Sequence, residues 1–143
     1  MTYFEAFGPV YQAHGINTRA RFVNSDARGG GPWLLNVAAF HAWTSPGQPN
    51  TVPFYVFYNP TTKDFVYLIS TDGNPPTAPS GFGAGTIVAY VYSTLICGSF
   101  PLYAASLPSV GDHWYTTDLV EHNTLLKVYG WIDAGITAYV LPA

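Results

Sequence analysis

The stretch Pro101-Leu102-Tyr103 has two counterparts earlier in the chain, Pro53-Phe54-Tyr55 and Pro9-Val10-Tyr11. Each joins a proline, an apolar residue and a tyrosine, and successive copies lie roughly 45 residues apart, a period typical of repeat proteins. A unit of that size cannot bury its apolar face alone. The chain is therefore expected to fold as three units around a shared core, spanning about residues 9–52, 53–100 and 101–143.

The three copies stay in step beyond their openings. Counting from the opening proline, Asp64 corresponds to Asp112, whereas the first copy has Ala20 at this position. Each copy then has a hydroxyl residue followed by aspartate, and it closes on alanine and aromatic residues. These segments are Ser25-Asp26, Thr71-Asp72 and Thr117-Asp118, followed by Val37-Ala38-Ala39-Phe40, Ile87-Val88-Ala89-Tyr90 and Ile136-Thr137-Ala138-Tyr139.

The residue pattern predicts a mainly β fold. Runs such as Phe54 to Tyr58 and Ile87 to Tyr92 are β-branched and aromatic, which is typical of strands. Each unit should supply an opening strand, a second strand around Phe22, Val66 or Trp114, and a closing strand. A helix is predicted only in the third unit, from Asp118 to Tyr129, because Asp118 can cap its first turn.

Three such units in one domain of residues 1–143 favour a pseudo-threefold arrangement. The β-trefoil is the leading prediction. A three-bladed arrangement with one short sheet per unit is the alternative, and the residue pattern does not separate the two.

Composition points to an uncharged partner. Charged residues make up only 9% of the chain, against about 25% in typical proteins, whereas aromatic residues reach 17%. Neutral polar and aromatic side chains suit hydroxyl-rich glycans or glycoproteins. Five Lys and Arg residues with a net charge of −3 argue against nucleic acid. The low charge also leaves room for self-association into a homo-oligomer.

The chain start and the single cysteine bear on location. Met1 to Glu5 lacks the basic and apolar character of a secretory signal, and no apolar run reaches the roughly 20 residues of a bilayer span. A cytoplasmic protein without membrane insertion is expected, although a trimmed leader would leave the same start. Cys97 follows an apolar run and is predicted to be a buried structural thiol.

The third unit resembles a known repeat. Its segments Pro101-Leu102-Tyr103, Gly111-Asp112-His113-Trp114-Tyr115-Thr116-Thr117 and Gly135-Ile136 with Ala138-Tyr139-Val140 are similar to an uncharacterised family of pattern PLYRLYNP…GDHFYTT…GIAGYV. That repeat is appended to secreted bacterial and fungal hydrolases. The resemblance implies an accessory module that binds carbohydrate or cell wall. In size, composition and symmetry the chain is also similar to small cytosolic mushroom lectins.

The sequence contains no pattern typical of a catalytic site or of a metal site. The four histidines are scattered without metal-ligand spacing, so neither a metal nor another cofactor is predicted. Asp112 or Asp118 with Glu121 could form a glycosidase-like pair, but a turn and a helix cap explain these carboxylates. The chain is therefore expected not to be an enzyme.

The predicted ligand sites combine a short aspartate with an aromatic ring, one shallow pocket per repeat. Loops at strand ends are where binding residues concentrate. The alternative, in which Trp33 and Trp131 are core residues, stays open, and Asp112 is expected to be structural. Because the copies have diverged, one dominant site is expected. The candidate ligand-binding residues are Asp26, Trp33, Trp43, Asp72, His113, Trp114, Tyr115, Asp118 and Trp131.

These observations favour a lectin-like protein that recognises neutral glycans without catalysis. The alternative is a β-trefoil-type protease inhibitor. In that hypothesis the proline-rich loop 72–81 enters an active-site cleft, since a stiff loop loses little entropy on binding.

Overall fold

Each third of the chain forms two strands joined by a tight turn, then a crossover segment and a third strand. The computed structural model describes residues 1–143. Its elements are β1 (Thr2–Gly8), β2 (Ala13–Thr18), α1 (Arg19–Ala27), β3 (Leu34–His41), β4 (Thr51–Tyr58), β5 (Phe65–Ile69), β6 (Thr86–Tyr92), β7 (Phe100–Leu107), β8 (Asp112–Thr116), α2 (Leu119–Val128) and β9 (Ile132–Val140).

The strands form two antiparallel sheets, which confirms the mainly β prediction. One sheet has the order β2-β1-β3 and the other the order β5-β4-β6-β9-β7-β8. The larger sheet consists of two three-stranded halves joined by the single pair Tyr92 and Tyr139. Bridges from Trp43 to Tyr90 and from His41 to Leu141 tie the smaller sheet to both halves.

The sheets do not close into a barrel, so the β-trefoil prediction is not met. Each unit instead contributes three adjacent strands, with the opening strand in the centre, the second strand on one side and the closing strand on the other. This strand order within a unit is the one expected of the three-bladed alternative, but the strands of the second and third units belong to one sheet. Neighbouring units meet mainly through side chains, because only isolated residue pairs join their strands.

Strand pairing shifts the alignment of the first unit with the other two, relative to the alignment predicted from the sequence. Tyr3, Phe54 and Leu102 hold equivalent places, since they pair or align with the buried Phe40, Ala89 and Ala138 of the closing strands. The first unit therefore begins at Thr2, and its Pro9 corresponds to the turn residues Pro60 and Pro108. The closing strand also differs by one residue, because Phe40 and not Ala39 faces the core; such a slip exchanges the two faces of a strand.

The first unit contains a helix where a strand was predicted. Phe22 and the pair Ser25-Asp26 lie in α1, and β2 is the true second strand. The Thr18 side chain caps α1 by accepting a hydrogen bond from the Arg21 amide at 3.4 Å. Phe22 is buried and packs on Trp33, with ring centroids 4.9 Å apart, so tertiary contact supports a segment of modest helix propensity.

The predicted helix of the third unit is confirmed. Asp118 caps α2, its carboxylate accepting hydrogen bonds from the amides of Val120 at 2.8 Å and Glu121 at 3.3 Å. In the second unit the crossover is an irregular loop between β5 and β6. Its prolines at 75, 76 and 79 cannot donate the hydrogen bonds that a helix needs.

Two tyrosine hydroxyls connect the units through the core. Tyr67 donates to the Ile16 carbonyl at 2.9 Å and accepts from the Ile16 amide at 2.7 Å. Tyr115, one unit further on, accepts from the Tyr67 amide at 3.1 Å. Burial raises the pKa of both tyrosines, so the hydroxyls remain protonated. Each hydroxyl thus binds the backbone of the equivalent position in the preceding unit, and the series ends at Ile16 of the first unit.

The structure also bears on the predictions for Cys97 and for membrane insertion. Cys97 is exposed in the connection after β6, so the prediction of a buried thiol is wrong; its φ of 53° places it in a turn that leaves the sheet. Neither helix has the length and apolar character required to cross a bilayer.

Replacing Tyr67 with phenylalanine should lower the free energy of unfolding by about 2 kcal/mol, because the buried amide and carbonyl of Ile16 lose their partner. Tyr58→Phe is the matched control, since the Tyr58 hydroxyl has no hydrogen-bond partner and its ring is half-buried. Urea denaturation of both variants measures the difference. Equal stability of the two variants would contradict the inter-unit role of Tyr67.

Candidate functional site

Two histidine–aspartate pairs join neighbouring units at the second strands. The Nδ1 atom of His113 in the third unit lies 2.6 Å from Asp64 Oδ2 in the second. His14 Nδ1 in the first unit lies 2.7 Å from Asp112 Oδ2 in the third, and the His14 amide donates to Asp112 Oδ1 at 2.9 Å. In each pair an Nδ1–H group can donate to the carboxylate oxygen, because an ionised carboxylate only accepts hydrogen bonds. Both aspartates are buried, and both carboxylate oxygens of Asp112 contact His14.

The third junction of this cycle is apolar. Here Phe65 of the second unit stands at the histidine position, and Ala13 of the first unit stands at the aspartate position. Phe65 packs edge-on against Tyr11 and Trp33 of the first unit, with centroids 5.5 and 5.7 Å apart. The first and second units are therefore joined by rings and not by an ion pair.

A cavity of about 250 Å³ opens at this apolar junction. Its walls come from β2 and α1 of the first unit and from β4 and β5 of the second. They combine aromatic rings with neutral polar side chains and one guanidinium group. The lining residues are Tyr11, Gly15, Ile16, Asn17, Arg21, Phe22, Asn24, Ser25, Trp33, Val56, Phe65 and Tyr67.

The space depends on a glycine. Gly15 stands at the β2 position where the other units have Val66 and Trp114. A methyl group at Gly15 would already meet the Trp33 ring at 3.4 Å, so a larger side chain would displace that ring. Trp33 stacks on Tyr11 with centroids 5.1 Å apart, and its Nε1 donates to Ser25 Oγ at 3.3 Å. The indole is thereby fixed as a wall of the cavity.

Several polar groups on the cavity wall retain free hydrogen-bonding capacity. The Asn17 and Asn24 carbonyl oxygens accept from the Thr18 amide and the Arg28 side chain, but their amide nitrogens have no protein partner. The guanidinium group of Arg21 forms neither a hydrogen bond nor an ion pair. A small ligand with several hydroxyl oxygens could accept from all three groups.

Of the nine residues predicted to bind a ligand, only Trp33 lines this cavity. Asp26 lies beside it, exposed on α1, and its Oδ1 accepts from the Trp33 amide at 3.1 Å. Trp43 forms a β-bridge with Tyr90, and Trp131 lies between α2 and β9. Asp72 accepts a hydrogen bond from the Asn74 amide of its own loop at 2.9 Å, and this bond lowers the pKa of Asp72. The structure does not bring these side chains together.

The predicted residues of β8 lie at the other two junctions. His113 is paired with Asp64, and Tyr115 is buried with its hydroxyl bound to the backbone of the second unit. The rings of Trp114 and His14 pack edge to face with their centroids 4.7 Å apart, and Trp114 Nε1 donates to Glu121 Oε2 at 3.2 Å. Asp118 borders a separate shallow cavity beside the chain end, lined also by Phe100.

The polar residues of the cavity at the apolar junction were missed because the first unit was aligned in the wrong frame. With β1 placed at Thr2–Gly8, Gly15 is equivalent to Trp114 of the third unit. The first unit therefore lacks a large side chain at this position, which indicates a void. Asn17 and Arg21 belong to no sequence motif, so the sequence alone could not indicate that they lie near Phe65 of the second unit.

A buried carboxyl group lies near the His14–Asp112 pair. Glu5 stands where the other units have Val56 and Ala104, and it is 1% exposed. Its Oε2 accepts from Asn36 Nδ2 at 2.5 Å, while Oε1 has no partner. Burial raises the pKa of Glu5 to about 7, opposed by the Asn36 hydrogen bond and by His14, with smaller contributions from Glu121 and Asp112.

No group of three or more His, Cys, Asp or Glu side chains is arranged to hold a metal ion. The chain is a mainly β protein of three units, each contributing three strands, with a cavity at one junction. It belongs to the family described as Domain of unknown function (DUF5648), whose model matches residues 2–141. No curated protein matches the chain. No solved structure matches it either.

Glu5 should make folding stability depend on pH. Because its folded pKa of about 7 lies above the ordinary 4.5, its contribution is fully present below the ordinary value and is lost as pH rises through about 7. The free energy of unfolding, relative to Glu5→Gln, should fall by about 2 to 3 kcal/mol between roughly pH 5 and pH 8. Chemical denaturation at several pH values measures it. Asp26→Asn, which removes an exposed carboxylate that is not among the groups acting on Glu5, should retain the wild-type slope. Parallel curves for wild type and Glu5→Gln would refute the assignment.

Proposed function

We propose that the protein is a non-catalytic carbohydrate-binding module, and that a saccharide binds in the cavity between the first and second units. The observation that carries the proposal is the composition of the cavity wall, which joins Tyr11, Trp33 and Phe65 to the free amides of Asn17 and Asn24. A saccharide presents both apolar C–H faces and hydroxyl groups, and this wall offers partners for each.

The size of the cavity fits a short ligand. Pockets for drug-sized molecules run from about 300 to 1,000 Å³, and this one, at about 250 Å³, lies just below that range. One sugar ring, with a chain continuing outside, is the occupant that the volume favours. Its position at the junction where the repeats differ most agrees with the expectation of one dominant site.

Binding without catalysis is proposed because the histidine–aspartate pairs lack a nucleophile. Neither His14 nor His113 hydrogen bonds a hydroxyl or thiol group through Nε2. His41 contacts the Thr2 hydroxyl at 3.0 Å, but no carboxylate orients that imidazole. A catalytic triad needs a nucleophile, a base and an orienting acid that are joined by successive hydrogen bonds.

The protease-inhibitor alternative remains a prediction. Loop 72–81 connects β5 to β6 and is exposed at its tip, while Phe82 and Gly83 fasten its far end through bonds to Pro79 and Tyr58. The carbohydrate proposal has priority because the cavity, and not the loop, presents free hydrogen-bonding groups beside aromatic rings.

A glycan array followed by titration tests the proposal. The best saccharide on the array should change the tryptophan fluorescence of the protein, because Trp33 lines the cavity. Asn24→Ala should weaken its binding about five- to tenfold by removing one hydrogen-bond donor. Calorimetric titration gives the affinity.

Asn123→Ala is the matched control, since Asn123 lies on α2 at a different cavity. It should bind the saccharide like the wild type. Array silence from a folded protein would refute the function, and a loss confined to Asn123→Ala would refute the placement. Inhibition of serine or cysteine proteases that disappears when loop 72–81 is replaced would favour the alternative.

A further inference from the structure

The positive charge of this chain is concentrated beside the cavity. Only five Lys and Arg residues occur in the chain, which has a net charge of −3. Three of them, Arg19, Arg21 and Arg28, lie on α1 or at its C-cap. Most of the cations in the chain therefore lie on one short helix or at its C-cap.

None of these arginines is neutralised by a carboxylate. The ion pairs of the structure all involve histidine. Asp26 is the only acidic residue of α1, and it accepts a hydrogen bond from the Trp33 amide without approaching an arginine within 4 Å. Three exposed guanidinium groups are therefore available to solvent or to a ligand.

Two of the three share the helix face that borders the cavity. Arg21, Asn24 and Arg28 follow at spacings of three and four residues, which places them on one face of a helix. Arg21 and Asn24 line the cavity, and Arg28 donates from Nε to Asn24 Oδ1 at 3.2 Å. Arg19 lies on another side of α1, where it borders a separate cavity with Met1 and Phe4.

We infer that the saccharide taken by this cavity is acidic, and that its anionic group binds Arg21, with Arg28 supporting at the rim. This inference rests on the proposed function, and it replaces the expected neutral glycan with one that bears a carboxylate or a sulfate. Guanidinium donates two parallel hydrogen bonds to such oxyanions, a geometry that lysine does not offer. The aromatic wall and the asparagine amides remain for the sugar ring.

A polyanion such as nucleic acid is the less suitable occupant. Its binding needs many cations along an extended path, whereas this surface has two at one cavity. A single oxyanion on a sugar ring needs only the one guanidinium group that faces the cavity.

Paired saccharides that differ only in the acidic group provide the test. The probes are galactose and galacturonic acid, glucose and glucuronic acid, and N-acetylglucosamine with its 6-sulfate, each presented as an oligosaccharide or conjugate. The acidic member of at least one pair should bind about tenfold more tightly than its neutral partner. The uronic acid and sulfate pairs separate the two sources of negative charge.

Arg21→Gln should abolish this preference, and Arg19→Gln should change affinity less than about twofold. The two variants remove the same charge from the same helix, so an equal loss in both would reduce the effect to general attraction and overturn the inference. Equal binding of neutral and acidic partners would overturn it while leaving the proposed function intact. Absence of binding to every saccharide would remove both.

A single-stranded DNA oligonucleotide serves as the last probe. Failure to bind it at physiological salt is the expected result. Binding that depends on Arg21 and exceeds that of the acidic saccharides would overturn the inference in favour of a nucleic acid ligand.

Discussion

Packing of the three units against one another depends on the side chains by which each second strand contacts the neighbouring unit. Asp64 and Asp112 are buried at 4% and 5% exposure, and each receives a histidine from the adjacent unit. A carboxylate removed from water without such a partner would cost several kcal/mol. The pairs therefore define which surfaces of the units can meet. The hydroxyls of Tyr67 and Tyr115 also join specific positions of neighbouring units, through hydrogen bonds to the backbone in the core.

The junction without an ion pair is where the structure leaves space. Phe65 and Ala13 replace the histidine and the aspartate, and Gly15 replaces a large side chain. Aromatic packing of Trp33 on Tyr11 and Phe22 fills part of the gap, and a cavity remains. Two junctions thus carry ion pairs, the third is joined by aromatic rings and by the Tyr67 hydroxyl, and divergence at the third leaves the cavity in which we propose that a ligand binds.

Sequence reasoning predicted the elements that carry local signals. The strands at Phe54 to Tyr58 and Ile87 to Tyr92 fall within β4 and β6, and the Asp118 cap marked α2. Helix α1 was missed because RARFVNSDA has no strong helix pattern and forms where Phe22 meets Trp33. The frame of the first unit was wrong because Pro9 in a turn resembles the strand prolines Pro53 and Pro101.

The cavity could not be predicted for a different reason. It is lined by residues of two units, and sequence repetition indicates which positions are equivalent but not which side chains of two units face each other. The direct contact of Phe65 with Tyr11 and Trp33 exists only after the first and second units pack together. The free amide of Asn17 and the guanidinium of Arg21 then share one wall.

A double-mutant cycle on His14 and Asp112 tests the central claim most directly, because it isolates one pair that joins the first unit to the third. Denaturation of wild type, His14→Ala, Asp112→Ala and the double variant should give a coupling energy of about 2 kcal/mol, as expected for a charge-assisted hydrogen bond. Additive single effects, with a coupling near zero, would contradict the account.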